Sequence, residues 1–516
     1  MLTVLRPYNA IALTLGALLL LSACSTIDWN YPRVPSNAFV HPETTRVGAL
    51  FQEAADQHPG LSGFSLVQEG RQAFVIRLAM IDLAEKTLDA QYYIWDGDAT
   101  GQILATHLMR AADRGVQVRV LIDDNYSTQA SDFRVAALDV HPNVEIRFFN
   151  PVRHRVWRMT SFLADFARVN HRMHNKLMVM DNAVGITGGR NIADIYFGVR
   201  ADHNYRDLDV VTTGPIVSEL SAAFDLFWNS EWAIPAGAMV KELPTEQDLR
   251  TRMTELEARV AAAGYPYPFH QNVADLRARL VEVRDKSIWA PGRVLAEQPS
   301  RVTADPSTGV IAQALRERAL KVEREMLIES PYLMLGERPI DVVRQLTARG
   351  DKVRILTNSA ASNDVMLAHA GYATTRKDLL RAGAELYELR PDSNMKREWS
   401  LRAGRSNAAL HTKSVVFDRE SVFIGSFNLD PRSASLNTEI GVMIDSTEIA
   451  GQVGELMDEG VSPGSAFHIT LDSDGNLVWT AETNGARVQY DKDPETSLWR
   501  RFVVAVAGLL PIQEQL

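Results

Sequence analysis

"HNKLMVMDNAVGITGGRN" at residues 174–191 contains a histidine and a lysine two positions apart, an aspartate five positions further on, and then Gly-Gly-x-Asn. The same arrangement returns as "HTKSVVFDRESVFIGSFN" at residues 411–428. Both stretches fit the pattern H-x-K-x4-D-x6-G-[GS]-x-N. Because ordinary residue frequencies make two chance matches to so long a pattern negligible, the two copies indicate an internal duplication.

The segments ahead of the two motifs repeat as well. Residues 88–124 are typical of a strand around the apolar run 92–95, an amphipathic helix that ends at an Arg-Gly pair, and a second strand. Residues 326–359 repeat this plan, again with an Arg-Gly pair after the helix. The sequence therefore predicts an α/β fold with mixed sheets, built from two tandem repeats. The predicted repeats are residues 61–232 and residues 306–462.

The motif itself is typical of a β-hairpin. We place each histidine on a strand, where side chains alternate between the two faces, so that His174 and Lys176 point to one side. The chain then turns at Asp181 and returns as a partner strand. Asp181, and with it Asp418, is predicted to fix the hairpin rather than to touch a substrate.

The end of each motif indicates a binding site for phosphate. The small residues after the hairpin would let a phosphate approach the backbone closely. The asparagines two positions further on would supply amide donors. The predicted phosphate-binding residues are Gly189, Ser426, Asn191 and Asn428.

Two imidazoles and two ammonium groups that face each other suit phosphodiester cleavage. One histidine attacks phosphorus, while the other protonates the departing alkoxide and then deprotonates the incoming hydroxyl. Lys176 and Lys413 would stabilise the charge on the non-bridging oxygens, so that no metal or other cofactor is needed. A nucleophilic histidine also needs a fixed tautomer. Asp207 and Glu439, each ahead of an apolar strand, are predicted to orient the rings; a solvated charge is the alternative for both.

The first 23 residues have a different character. The uncharged run "AIALTLGALLLLSAC" is too short for a membrane span and is typical of a secretory signal. Cys24, the only cysteine, directly follows Leu-Ser-Ala. This arrangement resembles the bacterial lipobox, which implies cleavage before Cys24 and lipidation of its thiol; a cleaved signal with an incidental cysteine is the alternative. Acyl chains would hold the protein on a membrane, and Ser25 favours the outer membrane.

Three further segments complete the chain. Residues 24–60 contain several prolines and are predicted to be a tether from the membrane. Residues 233–305 are predicted to be a helical insert, with a helix capped at Thr245. Residues 463–516 are predicted to form a hairpin at an Asp-Gly pair and an apolar helix over 497–511, which either lies in a membrane interface or packs on the body.

The composition limits the possible functions. A hydrophobic content of 46% and a charged content of 23% are typical of a globular protein. The formal net charge of -10 argues against nucleic acid as a substrate. The sequence contains neither CxxC nor HExxH, so zinc chemistry has no support. The arginine–aromatic mixture at residues 153–172 could seat anionic lipid headgroups or form salt bridges with the acidic surface; both interpretations stay open.

These motifs resemble the phospholipase D superfamily, whose HxKx4D signature occurs here twice. Within residues 61–462, "QYYIWDGD", "GGRNIADIYFG", "HAGYA" and "GSFNLDPRS" resemble the C-type bacterial cardiolipin synthases. The resemblance implies a pseudo-twofold α/β/α sandwich. It also implies transfer of a phosphatidyl group, for example from phosphatidylethanolamine, onto the glycerol hydroxyl of phosphatidylglycerol to give cardiolipin. His174 would be the nucleophile, and His411 the acid and base. The site residues implied by the resemblance are His174, Lys176, Asp181, His411, Lys413 and Asp418.

Two other functions are compatible with the same motifs. A hydrolase of this superfamily would release phosphatidic acid or cut nucleic acid, and would differ only in letting water reach the phosphoenzyme. A non-catalytic envelope lipoprotein that binds phospholipid would be expected to have lost a motif histidine or lysine, and none is lost. The lipobox is a departure from the general family pattern, so it bears on location rather than chemistry. We expect a lipid-anchored protein that faces the periplasm of a bacterial envelope.

Overall fold

The computed structural model of the chain describes residues 27–126, 129–153, 155, 165–269, 272–303, 309–393 and 407–507. Within these residues the chain forms 21 strands and 14 helices, numbered here in chain order. The predicted signal peptide and Cys24 lie outside the described residues.

The strands are β1 (Ser62–Val67), β2 (Thr87–Tyr92), β3 (Gln117–Asp123), β4 (Val144–Phe149), β5 (Lys176–Met180), β6 (Val184–Gly188), β7 (His203–Arg206), β8 (Asp209–Thr213), β9 (Ala233–Pro235), β10 (Ile288–Ala290), β11 (Gly292–Ala296), β12 (Glu325–Glu329), β13 (Lys352–Asn358), β14 (Glu385–Leu389), β15 (Asn407–Leu410), β16 (Ser414–Phe417), β17 (Ser421–Gly425), β18 (Ile440–Asp445), β19 (Ala466–Leu471), β20 (Leu477–Thr483) and β21 (Ala486–Tyr490).

The helices are α1 (Arg46–Asp56), α2 (Gly70–Leu83), α3 (Ala99–Asp113), α4 (Gln129–Leu138), α5 (Phe166–Val169), α6 (Pro215–Trp228), α7 (Glu246–Ala262), α8 (Val273–Asp285), α9 (Val310–Ala319), α10 (Glu337–Ala348), α11 (Met366–Arg381), α12 (Pro431–Ser435), α13 (Thr447–Gly460) and α14 (Leu498–Ala507). Within the described ranges, no helix has both the length and the apolar composition needed to cross a bilayer.

Two large mixed sheets share one topology. Among the described residues, the strand orders are β10-β1-β8-β6-β5-β2-β3-β4-β9 and β11-β18-β17-β16-β12-β13-β14-β19-β20-β21. From β8 to β9, and from β18 to β19, both sheets have three antiparallel pairs, two parallel pairs and one antiparallel pair. The prediction of two tandem α/β repeats with mixed sheets is therefore confirmed.

One hydrophobic core joins the two repeats. It contains Val179 of β5 and Val416 of β16, together with Leu220 of α6 and Val453 of α13, all of them buried. Separate cores lie under α2 and α3 in the first repeat and under α10 and α11 in the second. Because both sheets contribute to the shared core, the repeats are held face to face, and the ends of equivalent strands approach each other.

The motif histidines lie just ahead of their hairpins. The first hairpin pairs β5 with β6 and the second pairs β16 with β17, as the sequence predicts. However, β5 begins at Lys176 and β16 at Ser414, so His174 and His411 precede the strands. The prediction that each histidine lies on the strand itself is therefore wrong by two or three residues, because each histidine backbone N–H is bonded to the other repeat.

The motif aspartates tie each hairpin to the segment that leads into the neighbouring strand. Asp181 has a φ of 51° at the hairpin turn and accepts hydrogen bonds from the backbone N–H groups of Glu85, Lys86 and Thr87 at 3.0, 2.8 and 2.8 Å. Asp418 has a φ of 54° and accepts three equivalent bonds ahead of β12. Both carboxylates thus point away from the histidines, and their contacts are structural.

Replacing Asp181 with alanine should lower the free energy of unfolding by about 3 kcal/mol, because three backbone donors lose their acceptor. Asp181→Asn keeps one acceptor oxygen, and asparagine tolerates the left-handed backbone conformation. Its free energy of unfolding should therefore fall by less than that of the alanine variant. Urea unfolding of both variants measures the difference. A variant of normal stability with a large loss of turnover per folded molecule would contradict the structural role.

The N-terminal segment is not a free tether over its described part, residues 27–60. Two buried guanidinium groups of the first repeat use its carbonyl groups as acceptors: Arg119 donates to Ser36 at 2.9 Å, and Arg147 donates to Val34 at 2.8 Å. Helix α1 also lies within this segment and contributes to the core of the first repeat. The tether prediction is therefore wrong for these residues, because the segment completes the hydrogen bonding of the body.

The insert and the tail are more closely integrated than the sequence indicates. The insert contains the predicted capped helix, α7, with a capping box between Thr245 and Asp248. Its other end joins both sheets, since β10 pairs with β1 and β11 pairs with β18. The predicted hairpin of the tail is formed by β19 and β20, and it extends the second sheet. Helix α14 packs against α11.

Candidate active site

Both motif histidines line a single cavity of about 810 Å³ between the repeats. His174 and Asn191 of the first motif lie on its wall together with His411 and Asn428 of the second. The apolar run 92–95 leaves the sheet after β2, and its last three residues also line the cavity. The two copies of the motif therefore converge on one site.

Short parallel pairings between the repeats place the histidines. The residue before His174 forms a parallel bridge with Thr438, and the His174 N–H donates to the Thr438 carbonyl at 2.9 Å. The residue before His411 is paired with Arg206, where β15 lies parallel to β7, and the His411 N–H donates to the Arg206 carbonyl at 2.7 Å. In each case the next residue of the partner segment is a carboxylate.

Each carboxylate therefore orients the histidine of the opposite repeat. His174 Nδ1 lies 2.9 Å from Oε2 of Glu439, and His411 Nδ1 lies 2.6 Å from Oδ2 of Asp207. Both carboxylates are fully buried. A buried carboxylate requires hydrogen-bond donors, so each ring carries its proton on Nδ1. The Nε2 nitrogen of each ring is then unprotonated, and that of His411 lies 3.3 Å from Nζ of Lys413.

The small residues of the motifs support these carboxylates instead of binding phosphate. Glu439 accepts hydrogen bonds from the hydroxyls of Ser426 and Ser433. A side chain at Gly189 would overlap the Asp207 carboxylate, which explains why this position lacks one. The backbone N–H groups of Gly189 and Ser426 donate to the carbonyls of Leu208 and Ile440. The prediction that these two residues contact phosphate is corrected accordingly, because their side-chain positions and amides are already occupied.

The two asparagines remain at the cavity. Asn191 accepts a hydrogen bond from the Ile94 N–H at 3.1 Å and donates one to the Tyr196 hydroxyl at 2.9 Å. This fixes its amide and leaves one of its two N–H bonds for the cavity. The buried Oδ1 of Asn428 has no partner among the residues that the structure describes.

Burial keeps both histidines neutral. It lowers the pKa of His174 to about 4, although the negative charge of Glu439 acts in the opposite direction. Burial, with help from the nearby Lys413 and Lys176 charges, also lowers the pKa of His411 well below its usual value. Around neutral pH each Nε2 thus presents a lone pair to the cavity, as a nucleophile or a base requires.

The motif lysines are buried close to the histidines. Lys176 Nζ donates to the carbonyl of His174 at 2.6 Å, and Lys413 Nζ donates to the carbonyl of His411 at 2.6 Å. Lys413 Nζ also lies 3.1 Å from His411 Nδ1. Burial lowers the pKa of Lys176 well below its usual value and that of Lys413 to about 8. An anionic phosphodiester in the cavity would raise both pKa values and favour the ammonium forms.

The arginines ahead of the first motif are used within the fold where the structure describes them. Three of them are buried and paired with aspartates, which favours the salt-bridge interpretation for these three. Arg158, Trp157 and Phe162 lie outside the described residues. The pairs are Arg155 with Asp124 and Asp132, Arg168 with Asp165, and Arg172 with Asp123.

Known proteins are similar to this chain over most of its length. The family described as "Cardiolipin synthase, PLD-like domain" matches residues 78–228 and 316–460, one motif in each segment. The protein named cardiolipin synthase C of Escherichia coli (strain K12) is 36% identical over 473 residues, which cover 91% of this chain and 99% of the relative. The chain belongs to the cardiolipin synthase, PLD-like domain family.

A second relative agrees with this family member in length, and a solved structure is similar to it in fold. An uncharacterized protein of Helicobacter pylori (strain ATCC 700392 / 26695) is 31% identical over 501 residues, which cover 96% of this chain and 97% of the relative. Among solved structures, phosphatidylserine synthase of Haemophilus influenzae Rd KW20 is similar with a TM-score of 0.54 at 15% identity. The match covers 79% of this chain and 90% of that chain. This last likeness concerns the fold.

In this cardiolipin synthase family member, the cavity also has residues that sequence reasoning missed. Tyr205 stacks on the ring of His411 at 4.9 Å and donates a hydrogen bond to Asp364 at 2.5 Å. Tyr332 donates to the same carboxylate at 3.0 Å. Tyr205 lies two residues before Asp207, and strand alternation could have placed both on the same side. For Asp364 and for Ser433 the sequence holds no comparable signal.

Proposed function

We propose that the protein is a phosphatidyltransferase that moves a phosphatidyl group, through a phosphohistidine, onto phosphatidylglycerol to form cardiolipin. The observation that carries this proposal is the pair of neutral, carboxylate-oriented histidines on one cavity wall. The name of the Escherichia coli relative supports the choice of substrates. Phosphatidylethanolamine or a second phosphatidylglycerol would serve as donor.

In the first step, His174 Nε2 attacks the phosphorus of the donor lipid. A P–N bond forms, the P–O bond to the headgroup alcohol breaks, and His411 gives a proton to the departing oxygen. His411 takes up this proton when the donor binds, because the negative charge of the phosphodiester favours the imidazolium. Asp207 then stabilises the positive ring through its Nδ1–H bond.

In the second step, the glycerol hydroxyl of phosphatidylglycerol attacks the phosphohistidine. His411, now neutral, accepts the hydroxyl proton as the new P–O bond forms. The P–N bond breaks and its electron pair returns to His174 Nε2. His411 returns this proton to the solvent when cardiolipin leaves, because the phosphodiester charge that favoured the imidazolium leaves with it. Atoms and charges therefore balance, and the protein ends the cycle in its starting state.

The lysines and asparagines would stabilise the transition state. Negative charge collects on the non-bridging oxygens of phosphorus in both steps. Hydrogen-bond donors that are already in place stabilise this charge and so lower the activation free energy. Lys176, Lys413, Asn191 and Asn428 all lie close to the histidines or on the cavity wall.

The surroundings of the two carboxylates support His174 as the nucleophile. A phosphorylated ring that keeps its Nδ1–H carries positive charge, so it needs a firmly ionised partner. The contacts of Glu439 with His174 and Ser426 lower its pKa in spite of burial, whereas burial raises the pKa of Asp207. Glu439 is therefore the better partner for a phosphohistidine, and Asp207 suits a ring that gains and loses a proton.

The choice between transfer and hydrolysis is tested by product analysis. The mature chain, residues 24–516, is incubated with vesicles of phosphatidylglycerol and phosphatidylethanolamine, and the lipids are separated. We expect cardiolipin from the unaltered protein and at least about 100-fold slower cardiolipin formation by His411→Ala. Phosphatidic acid alone would instead establish a hydrolase, and absence of any turnover with retained lipid binding would establish a binding protein.

The pH dependence provides a second prediction. With phosphatidyl p-nitrophenol as donor, whose leaving group needs no proton, kcat/KM reports the first step in the free enzyme. The ammonium form of Lys413, whose pKa burial lowers to about 8, stabilises that step. kcat/KM should therefore fall as the pH rises through about 8. It should also fall as the pH drops through about 4, where His174 becomes protonated.

Lys413→Arg is the matched variant for this profile, because a guanidinium stays charged throughout the range. Its alkaline decline should move to a pH higher than that of the unaltered protein, whatever its absolute rate. An unchanged alkaline decline in this variant would assign the titration to a different group.

We further propose that the protein is anchored in the bacterial envelope through acyl chains on Cys24, facing the periplasm. The apolar run ahead of Cys24 and the Leu-Ser-Ala-Cys sequence support this location. The acidic net charge of -10 supports lipid rather than nucleic acid as the partner.

A further inference from the structure

Helix α14 exposes a continuous apolar stripe. The stripe consists of Leu498, Trp499, Phe502 and Val506, which are 81%, 70%, 59% and 45% exposed. These positions follow helical spacing and so share one face. The rings of Trp499 and Phe502 stack with their centroids 5.8 Å apart. We call these four side chains the α14 stripe.

The helix is docked on the body by its opposite face, so the stripe is held in place. α14 packs against α11, and Ala507 is buried there. The guanidinium of Arg500, on the same side as Ala507, donates a hydrogen bond to the carbonyl of Asn363, just ahead of α11. The docked face of the helix is thus covered, whereas the opposite, apolar face is exposed. Helices of globular proteins usually have a polar outer face.

Helix α14 is docked next to a segment that lines the cavity. Val365 and Ala368, at the start of α11, line the cavity, and Arg500 of α14 binds two residues ahead of Val365. Val365 and Leu367 are themselves 40% and 42% exposed. Helix α14 is therefore docked beside a segment that both lines the cavity and exposes apolar side chains.

We propose that the α14 stripe inserts into the surface of a phospholipid bilayer and so presents the cavity to membrane lipid. This inference rests on the proposed function, because a phospholipid substrate has to pass from the bilayer into the cavity beside the stripe. Tryptophan, phenylalanine and leucine on one face are typical of helices that lie in a membrane interface. A patch of this kind on a soluble surface would otherwise favour aggregation.

The charge of the protein predicts how this contact responds to salt. At a net charge of -10, the protein as a whole is repelled by anionic lipid. Apolar insertion rather than electrostatic attraction must then hold it on vesicles. Binding should therefore persist or strengthen when salt screens the repulsion.

The test compares the mature chain, residues 24–516, without acyl chains on Cys24, with the double variant Trp499→Gln/Phe502→Gln. Flotation with phosphatidylglycerol–phosphatidylethanolamine vesicles should show at least about tenfold weaker binding of the variant. Turnover of vesicle lipid should fall in parallel, while turnover of a short-chain phosphatidylglycerol dispersed as monomers should be unchanged. The matched control is Val273→Gln on α8, which replaces a side chain that is 60% exposed and does not line the cavity.

The outcomes separate this inference from the proposed function. Equal vesicle binding by the variant and the unaltered protein would overturn it. A dimer in light scattering that the variant loses would also overturn it, because a second copy would then cover the stripe. If neither protein turns over any lipid, but only the variant loses vesicle binding and retains its circular dichroism spectrum, the docking surface stands and the phosphatidyltransferase proposal fails.

Discussion

Replacing His174 with alanine should reduce phospholipid turnover by about 10,000-fold or more, because the substitution removes the nucleophile and no other group in the cavity replaces it. A donor lipid with a better leaving group should not restore the activity of this variant. Phosphatidyl p-nitrophenol has a leaving group that departs without a proton, yet its phosphorus still needs a nucleophile. The measurement is the initial release of p-nitrophenolate, compared with turnover of the natural donor.

His411→Ala is the matched variant, since it removes the same side chain from the other repeat. With a natural phospholipid, the turnover of this variant should be about 100- to 10,000-fold lower, because no acid then protonates the alkoxide leaving group. With the activated donor, it should recover a burst of p-nitrophenolate of about one equivalent per enzyme molecule. Rescue of His174→Ala instead of His411→Ala would reverse the assignment of the two roles.

Glu439→Gln should lower turnover by about 1,000-fold, because an amide at this position no longer enforces the Nδ1–H tautomer of His174. The crossed pairing gives this variant a specific signature. Glu439 orients the nucleophile of the opposite repeat, so the activated donor should not rescue its loss. Asp207→Asn impairs the acid His411, so the same donor should restore its burst.

The opposite rescue pattern would mean that each carboxylate serves the histidine of its own repeat. Glu388→Gln is the control for buried glutamates in general. Glu388 is as buried as Glu439 and lies 2.9 Å from Arg376, and it does not line the cavity. This substitution should lower the stability of the protein, while the turnover per folded molecule stays the same.

The sequence was sufficient to predict the parts of the site that local patterns determine. The duplicated motif contains the two histidines and the two lysines, and its alternation predicts both hairpins. The turn at each motif aspartate also predicts the structural role of its carboxylate. The two carboxylates accept hydrogen bonds from backbone N–H groups just before β2 and β12, and no sequence pattern indicates these contacts.

The parts of the site that the sequence does not predict depend on contacts between distant segments. The pairing of His174 with Glu439 follows from a bridge between the repeats, and nothing near either residue specifies it. Gly189 was predicted to make room for phosphate, but it makes room for Asp207. A glycine at this position is consistent with either neighbour, a phosphate or the Asp207 carboxylate, and only the fold shows which one lies there. The sequence predicts a tether at residues 24–60 for the same reason, since the acceptors in the described part of this segment serve arginines over 80 residues away.

The most direct test of the two-histidine account is to trap the intermediate. A protein of residues 24–516 is mixed with an excess of phosphatidyl p-nitrophenol, quenched within one turnover in alkali, where phosphohistidine survives, and digested for peptide mass analysis. Our account predicts a phosphatidyl group on the peptide that contains His174 and none in His174→Ala. An adduct on His411, or turnover without any histidine adduct, would contradict it.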